Sequence, residues 1–371
     1  MDPLTQTSRT TIEGHAYALF GFDLGFQIDL DAAERLAGDT TRQHISRTRR
    51  TSPAWFDYSP APLRLAIEGA QIEIDGQPTA ASAEVLIYDF GAALITYRLP
   101  LPTTLDELPR LSVALEDHAA LQADARARMA SVLDTIRAAV ERPSLSDAVE
   151  DYVVFSLTSW GNSTPAEILD DHRATLAQAI EAERAPLAAE QIARSTEATL
   201  SYAETDLAIL DWNGAILFDA EPDDILTLLQ HANLELLQLR ILDQELDEIL
   251  DHADESLAAL TRARVWPTFA SRRMMQRLAT AQTDSAVRFE GVNNAIKLMG
   301  NQYLARFYRL AAARLDLQAW QGSVQRKLEA TESLYDKMSD SVATHRLELL
   351  EWVIIVLIAV SIVLPFTPWY H

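Results

Sequence analysis

The sequence predicts an α+β fold with three parts: an N-terminal α/β head, long C-terminal helical arms that form a coiled coil, and one C-terminal transmembrane helix. Three observations lead to this prediction. Residues 11–222 contain short β-rich runs separated by Gly and Pro turns, which is typical of strands and hairpins. Leucines at three- and four-residue spacing begin at residue 223, as on one face of long helices. A run without charge ends the chain.

Two hairpins organise the head. Glu84–Arg98 contains two β-rich runs that fold at Asp89-Phe-Gly91, and Asp206–Asp219 contains two more around Asn213-Gly214, a strong hairpin signal. A strand and then a helix precede each hairpin, and a second helix follows it. The order strand, helix, hairpin, helix therefore occurs twice. This order is the skeleton of a ferredoxin-like split β-α-β unit. A duplicated ferredoxin-like head and a chance recurrence of two hairpins are both open at this point.

These patterns divide the chain into five segments. We expect a flexible tail, a first α+β unit, a second α+β unit, the helical arms with their coiled coil, and the transmembrane helix. Their respective bounds are residues 1–10, 11–142, 143–222, 223–350 and 351–370.

The last long helix carries a hydrophobic seam that continues over about five heptads. A stripe of this length is costly to leave in water, so we expect a homo-oligomer formed through it. Packing against residues 223–260 of the same chain, which carry their own stripe, is the alternative. The seam residues are Leu317, Val324, Leu328, Tyr335, Met338, Val342 and Leu349.

The uncharged run from Trp352 to Phe366, extended to Tyr370, covers roughly 28 Å as a helix, close to the thickness of a hydrocarbon core. Aromatic residues bracket it, as at membrane interfaces. A buried core helix is the alternative. The expected anchor residues are Trp352, Val353, Ile354, Ile355, Leu357, Ile358, Val363, Leu364, Trp369 and Tyr370. Because Lys337 and Arg346 precede the run, we expect a single-pass protein of the bacterial inner membrane, in contact with the lipid bilayer, with its N-terminal bulk cytoplasmic.

The charge balance bears on the class of partner. The chain has 31 basic and 54 acidic residues and a formal net charge of −23, which repels nucleic acid, so we expect no direct nucleic-acid binding. One basic stretch, which we interpret as a surface loop, is a candidate site for an anionic partner. Its arginines are Arg42, Arg47, Arg49 and Arg50.

Motifs that would indicate catalysis are missing from the sequence. It contains no phosphate-binding glycine loop, no dinucleotide fingerprint and no His-Glu-x-x-His. Cysteine is absent, which excludes disulfides and thiolate metal sites. His231 and His252 lie roughly six helical turns apart and cannot share one ion within a single helix. We therefore expect no enzyme, no catalytic residues, no cofactor and no metal site.

Three stretches carry a resemblance to a known family. Arg346-Leu-Glu-Leu-Leu-Glu-Trp352 and the apolar run after it resemble the ending of the "required for meiotic nuclear division" proteins. Asn233-Leu-Glu-Leu-Leu-Gln-Leu-Arg240 is similar to a helical segment of that family, and Val85–Ile95 to its aromatic–glycine hairpin. Three extra residues within the Arg-Leu-Glu-Trp motif depart from the pattern. The resemblance implies a membrane-anchored homo-oligomer without known catalytic activity.

Two functions are consistent with these observations. The first is a membrane-anchored, homo-oligomeric scaffold or tether whose head binds an unidentified protein partner. The second is a membrane-tethered sensor that binds a small ligand or RNA through the α+β head. A polar pocket in the head would favour the sensor, whereas a flat apolar patch would favour the scaffold.

Overall fold

The computed structural model describes residues 10–38, 45–47, 56–58, 60–116, 118–262, 269–294, 296–298 and 302–363. Within these ranges the chain divides into two units. The first draws on residues 1–241 and 290–320, and the second on residues 242–289 and 321–371.

Fifteen strands are present in the described ranges. They are β1 (Glu13–Asp23), β2 (Gln27–Ile28), β3 (Ile45–Arg47), β4 (Phe56–Tyr58), β5 (Leu63–Glu68), β6 (Glu73–Ile74), β7 (Gln77–Pro78), β8 (Ser82–Ile87), β9 (Ala92–Pro100), β10 (Val140–Glu141), β11 (Val149–Ser159), β12 (Thr199–Leu200), β13 (Leu207–Leu210), β14 (Gly214–Phe218) and β15 (Ile296–Leu298).

Nine α-helices and two short 3₁₀ turns, Leu105–Glu107 and Arg137–Ala139, lie in the same ranges. The helices are α1 (Leu30–Gly38), α2 (Leu108–Leu115), α3 (Ala119–Ile136), α4 (Pro165–Ile180), α5 (Ala189–Ser195), α6 (Asp223–Arg262), α7 (Phe269–Asn294), α8 (Gln302–Arg314) and α9 (Leu317–Val363).

The first unit is built on a nine-stranded sheet with the order β12-β13-β14-β11-β1-β9-β8-β5-β3. The long strand β1 lies at its centre and pairs antiparallel with both β11 and β9. All neighbours are antiparallel except β11 and β14, which run parallel. The pairing of β1 with β11 joins the beginning of the head to its second half, and one sheet therefore runs through both halves.

One face of this sheet packs on helices α1 to α4 and forms the main core. Alternate residues of β1 point into it, including Ala16, Ala18, Phe20 and Phe22, because successive side chains of a strand face opposite sides. Leu121 and Met129 of α3 cover them and are fully buried. At roughly 25 cal/mol per Å² of apolar area removed from water, this core is the main source of stability of the head.

The other face of the sheet packs on the first half of α6. Every residue from Ile225 to Leu239 is buried, so this stretch of helix is covered on all sides. Gly21 of β1 allows the close approach, since a Cβ there would lie 3.1 Å from a methyl carbon of Leu234. Polar contacts fix the register. The Gln230 side chain donates to Thr96, at 3.2 Å, and Gln238 to Asp23, at 2.9 Å.

Both hairpins predicted from the sequence are confirmed. Strands β8 and β9 pair around Gly91, and β13 and β14 pair around Asn213. The predicted duplication is wrong, because the two halves are connected differently. In the second half β11 lies parallel to β14, with α4 in the connection, as in a split β-α-β unit. In the first half β1 runs antiparallel to β9.

The second unit contains the outer half of α6, most of α7 and most of α9. Helices α6 and α9 run parallel: residues further along α6 contact residues further along α9. Lys327 pairs with Asp243 and Asp247 at 2.8 and 2.7 Å, and Met338 packs against Ala253. Contacting residues of α6 and α9 differ by 80 to 85 in residue number. If this difference continues, the last residue of α6, Arg262, is level with residues 342–347 of α9. The end of α9 therefore extends beyond α6.

The predicted transmembrane helix at residues 351–370, and the single-pass membrane location based on it, are wrong. None of the helices in the described ranges combines the length and the apolar composition that a membrane span requires. The described part of α9 ends at Val363, and its uncharged stretch from Trp352 is roughly 18 Å long, against a hydrocarbon core of about 30 Å. The expected anchor residues Trp352, Val353, Ile354, Ile355, Leu357 and Ile358 are exposed side chains of α9. Leu364, Trp369 and Tyr370, and the side chain of Val363, lie outside the described part of the chain.

The described part of the predicted seam faces the interior of its own chain. Leu317, Val324 and Met338 are fully buried, while Leu328 and Tyr335 are half-buried. Tyr335 packs against the cluster of Ala253 and Met338. The side chains of Val342 and Leu349 lie outside the described residues, as do Arg42, Arg49, Arg50 and the side chain of Arg47 from the candidate anionic-partner loop.

Candidate functional site

A polar cleft of about 460 Å³ lies in the first unit, beside the turn between β13 and β14. Four separate parts of the chain contribute to it: the end of α4, helix α5, the β13–β14 turn and the end of α8. Its volume is within the range of small-molecule sites in proteins. The lining residues are Glu181, Gln191, Arg194, Asp211, Trp212, Asn213, Ala313 and Arg314.

Glu181 enters the cleft from the carboxyl end of α4. Its backbone N–H donates to Ala177 O at 2.9 Å and so completes the last turn of the helix. The Oε1 atom of the carboxylate accepts a hydrogen bond from the Gln191 side chain, at 2.7 Å, and another from the fully buried hydroxyl of Ser195. Both donors are neutral. Within the described residues, no arginine or lysine pairs with this carboxylate.

Asp211 and Trp212 come from the turn between β13 and β14. Strand β14 begins close against β11 because Gly214 lacks a Cβ, which would lie 2.7 Å from Val153 O of β11. The buried hydroxyl of Tyr152 donates to Asp211 O at 2.9 Å and fixes the end of β13 to the sheet. The turn leaves the Trp212 side chain 43% exposed at the cleft.

Arg314, the last residue of α8, closes one side of the cleft. Its Nε and Nη2 atoms lie 2.8 and 2.6 Å from Oδ1 of Asp211, and Nη2 also donates to the backbone carbonyl of Arg194, at 3.1 Å. A guanidinium presents several donors in a fixed plane, so a single arginine can hold a carboxylate and a carbonyl together. Arg314 thereby joins α8, α5 and the β13–β14 turn.

The electrostatics of Asp211 reflect two opposing effects. Burial raises the pKa of its carboxyl above the usual range, and repulsion from the nearby Glu181 carboxylate adds to the rise. The hydrogen bond from the Trp212 backbone N–H and the charge of Arg314 lower the pKa of the same carboxyl. The two acids therefore lie close enough to repel each other, and only one of them has an arginine partner among the described residues.

The cleft thus presents groups that the chain itself leaves available. Asp211 and Glu181 each use one carboxylate oxygen for the hydrogen bonds given above, and Oδ2 of Asp211 and Oε2 of Glu181 have no hydrogen-bond partner among the described residues. Arg194 is exposed, and its guanidinium makes no ion pair with any residue in the described ranges. Acceptors, a donor and an aromatic face therefore surround one space.

Sequence reasoning missed every residue of this cleft. They are spread along the chain from Glu181 to Arg314 and converge only because α8 packs beside β13. The Asn213-Gly214 turn was the one local signal, since it places Asp211 and Trp212 at the tip of a hairpin. Elsewhere in the described ranges, no group of three histidine, aspartate or glutamate side chains is placed to hold a metal ion.

Comparison with known proteins overturns the resemblance inferred from the sequence. Nothing in the comparisons indicates the "required for meiotic nuclear division" family, so the family inferred from the three short stretches is wrong. The chain is 22% identical over 221 residues to "Uncharacterized protein MJ0711" of Methanocaldococcus jannaschii. That match covers 58% of this chain and 66% of the archaeal protein, just under two thirds. No solved structure matches the chain.

The family model that matches does so over residues 13–224, which include β1 to β14, Glu181, Arg194 and the β13–β14 turn. The chain belongs to the family described as "Uncharacterized protein MJ0711, N-terminal domain".

Proposed function

We propose that the head is a non-catalytic binding module that takes up a small polar molecule in the cleft between α4, α5, α8 and the β13–β14 turn. The observation that carries this proposal is a set of groups around one space: the exposed Arg194, one oxygen each of Asp211 and Glu181 that has no hydrogen-bond partner among the described residues, and the exposed Trp212 ring. Small-molecule sites combine a concave shape with a few convergent polar groups.

The lining supports a small molecule over RNA. Two carboxylates and two arginines give the cleft no net formal charge, and the whole chain carries −23. A surface that binds the phosphate backbone needs clustered cations that outweigh the acids of the protein. The cleft offers one guanidinium without an ion-pair partner among the described residues, which suits a ligand with one anionic group.

Thermal unfolding of the full chain tests this proposal. The probes are separate panels of amino acids, nucleosides, sugars, organic acids and amines. A ligand present at 100 times its Kd adds about 2.7 kcal/mol to the free energy of unfolding, so we expect at least one panel to raise the Tm by several degrees. Trp212→Ala should abolish that rise. Tyr202→Ala is the control, because Tyr202 is 78% exposed in the same unit and does not line the cleft. A Tm unchanged by all five panels would refute the proposal.

A second function, self-association, is favoured by the exposed end of α9. Seven large apolar side chains between Trp352 and Ile358 are 45% to 67% exposed, beyond the level at which α6 ends. A helix of about twelve residues presents about 550 Å² of side surface, as much as the largest apolar patches on monomeric proteins. We propose that a second copy of the chain covers this end, since two identical apolar helices can bury each other.

Light scattering on the full chain measures this association directly. The wild type should be a dimer or larger at micromolar concentration, and Leu357→Glu should shift it to the monomer, because a carboxylate in the interface loses its hydration. Ser339→Glu adds the same charge to an exposed position of α9 and should leave the mass unchanged. A monomeric wild type would rule out association through this surface.

A further inference from the structure

We infer that the ligand of the cleft is a small zwitterion of the α-amino acid class, with its ammonium at Asp211 and Glu181 and its carboxylate at Arg194. This inference rests on the proposed function, because it names the class of molecule that the same cleft would bind. It follows from which groups of the cleft are already paired within the chain.

The acidic side of the cleft is suited to an ammonium group. Among the described residues, Glu181 accepts hydrogen bonds only from the neutral side chains of Gln191 and Ser195. Asp211 has one cationic partner there, Arg314. Three charges, two negative and one positive, therefore meet here. An ammonium carries three N–H donors, and two carboxylate oxygens without a partner in the described part of the chain, Oδ2 of Asp211 and Oε2 of Glu181, can accept them. Binding it would also remove the repulsion between the two acids.

The basic side of the cleft is suited to a carboxylate. Arg194 lies one turn of α5 from Gln191, so both side chains project from the same face of the helix. Its backbone carbonyl is held by Arg314, which fixes the position of the residue, while the guanidinium stays exposed. A guanidinium binds a carboxylate through two parallel hydrogen bonds, so a single arginine is sufficient for this group.

The balance of charge excludes simpler ligands. Asp211 and Arg314 form an ion pair in which their charges cancel. One negative charge on Glu181 and one positive charge on Arg194 remain without ionic partners in the described ranges. A simple cation would pair with Glu181 and leave Arg194 without a partner. A simple anion would pair with Arg194 and leave Glu181 without one. The exposed ring of Trp212 adds an aromatic face that attracts an ammonium or stacks on a planar side chain.

Calorimetric titration of the full chain tests this inference. The twenty L-amino acids are screened first, and the strongest binder is then compared with its N-acetyl form, which lacks the ammonium, and its amide, which lacks the carboxylate. We expect the free amino acid to bind at least tenfold more tightly than either capped form. Glu181→Gln should remove the disadvantage of the N-acetyl form, and Arg194→Gln should remove that of the amide. Arg184→Gln, an exposed arginine outside the cleft, should change neither ratio.

The outcomes separate the inference from the proposed function. An amide that binds as well as the free amino acid indicates a cation site, and an N-acetyl form that binds as well indicates an anion site. Either result overturns the inference and leaves a small-molecule site in place. The same holds if no amino acid binds while a nucleoside, sugar, organic acid or amine does. If no molecule of any class binds, both the inference and the proposed function fail.

Discussion

Replacing Gly91 with alanine should destabilise the head by at least about 4 kcal/mol. Gly91 has a φ of +90°, which side chains with L chirality rarely adopt, and its Cβ would lie 2.0 Å from Gly25 O. The backbone there cannot withdraw easily, because Gly91 O accepts a hydrogen bond from Leu24 N, at 2.8 Å. The new methyl group would separate the β8–β9 turn from the segment that follows β1.

Gly161→Ala is a matched control for this prediction. Gly161 has a nearly identical φ of +84°, but among the described residues no atom beyond its two chain neighbours lies within 4 Å of the position of its Cβ. The same substitution there should cost only the backbone strain, about 1 kcal/mol. Urea denaturation of both variants measures the difference. If the two substitutions lower the free energy of unfolding equally, the backbone of Gly25 does not approach Gly91 this closely.

The second large effect concerns His231, which is fully buried in the first half of α6. Its ring lies between those of Tyr88 and Tyr308, with centroids 6.1 and 6.3 Å away. Burial lowers the pKa of the imidazole to about 4, from 6.5 in an unfolded chain. A group with a lowered pKa in the folded state contributes stability above its unfolded pKa and loses it as the pH falls towards the folded pKa.

We therefore expect the free energy of unfolding to fall by roughly 3 kcal/mol through this residue as the pH drops from 7 to 4. Buried carboxyls act in the opposite sense, because burial raises the pKa of Glu150. A variant isolates the histidine: His231→Phe keeps a ring between the two tyrosines and cannot titrate. Its stability should be less dependent on pH by about that amount. Identical pH profiles for wild type and His231→Phe would contradict the expectation.

Local patterns in the sequence were sufficient to predict local structure. The two hairpins were evident because Asp89-Phe-Gly91 and Asn213-Gly214 are turn sequences flanked by β-rich runs, and both are present. The long helices after residue 223 were predicted from leucine spacing alone. These features depend on residues within one or two turns of each other, where intrinsic preference and periodicity decide the outcome.

Non-local structure was not predictable in the same way. Residues 223–350 were predicted as helical arms outside the head, yet the first half of α6 packs on the sheet, and its Glu235 is 2% exposed and contacts Tyr308 of α8. The end of α9 was interpreted as a membrane span because its composition is apolar, although none of the described helices meets the requirements of a span. The cleft shows the same difficulty, since Glu181, Asp211 and Arg314 belong to different elements and none carries a recognisable motif.

The ¹⁵N–¹H spectrum of the full chain tests most directly whether the cleft beside Trp212 binds an amino acid. The chain contains seven tryptophan side chains. The Trp212 indole signal is identified by its disappearance in Trp212→Phe. Titration with the mixture of twenty L-amino acids should move this signal in a saturable manner and leave that of Trp352, at the end of α9, in place. A Trp212 signal that stays fixed while the amino acids raise the Tm would place the binding site elsewhere and contradict the assignment of the cleft.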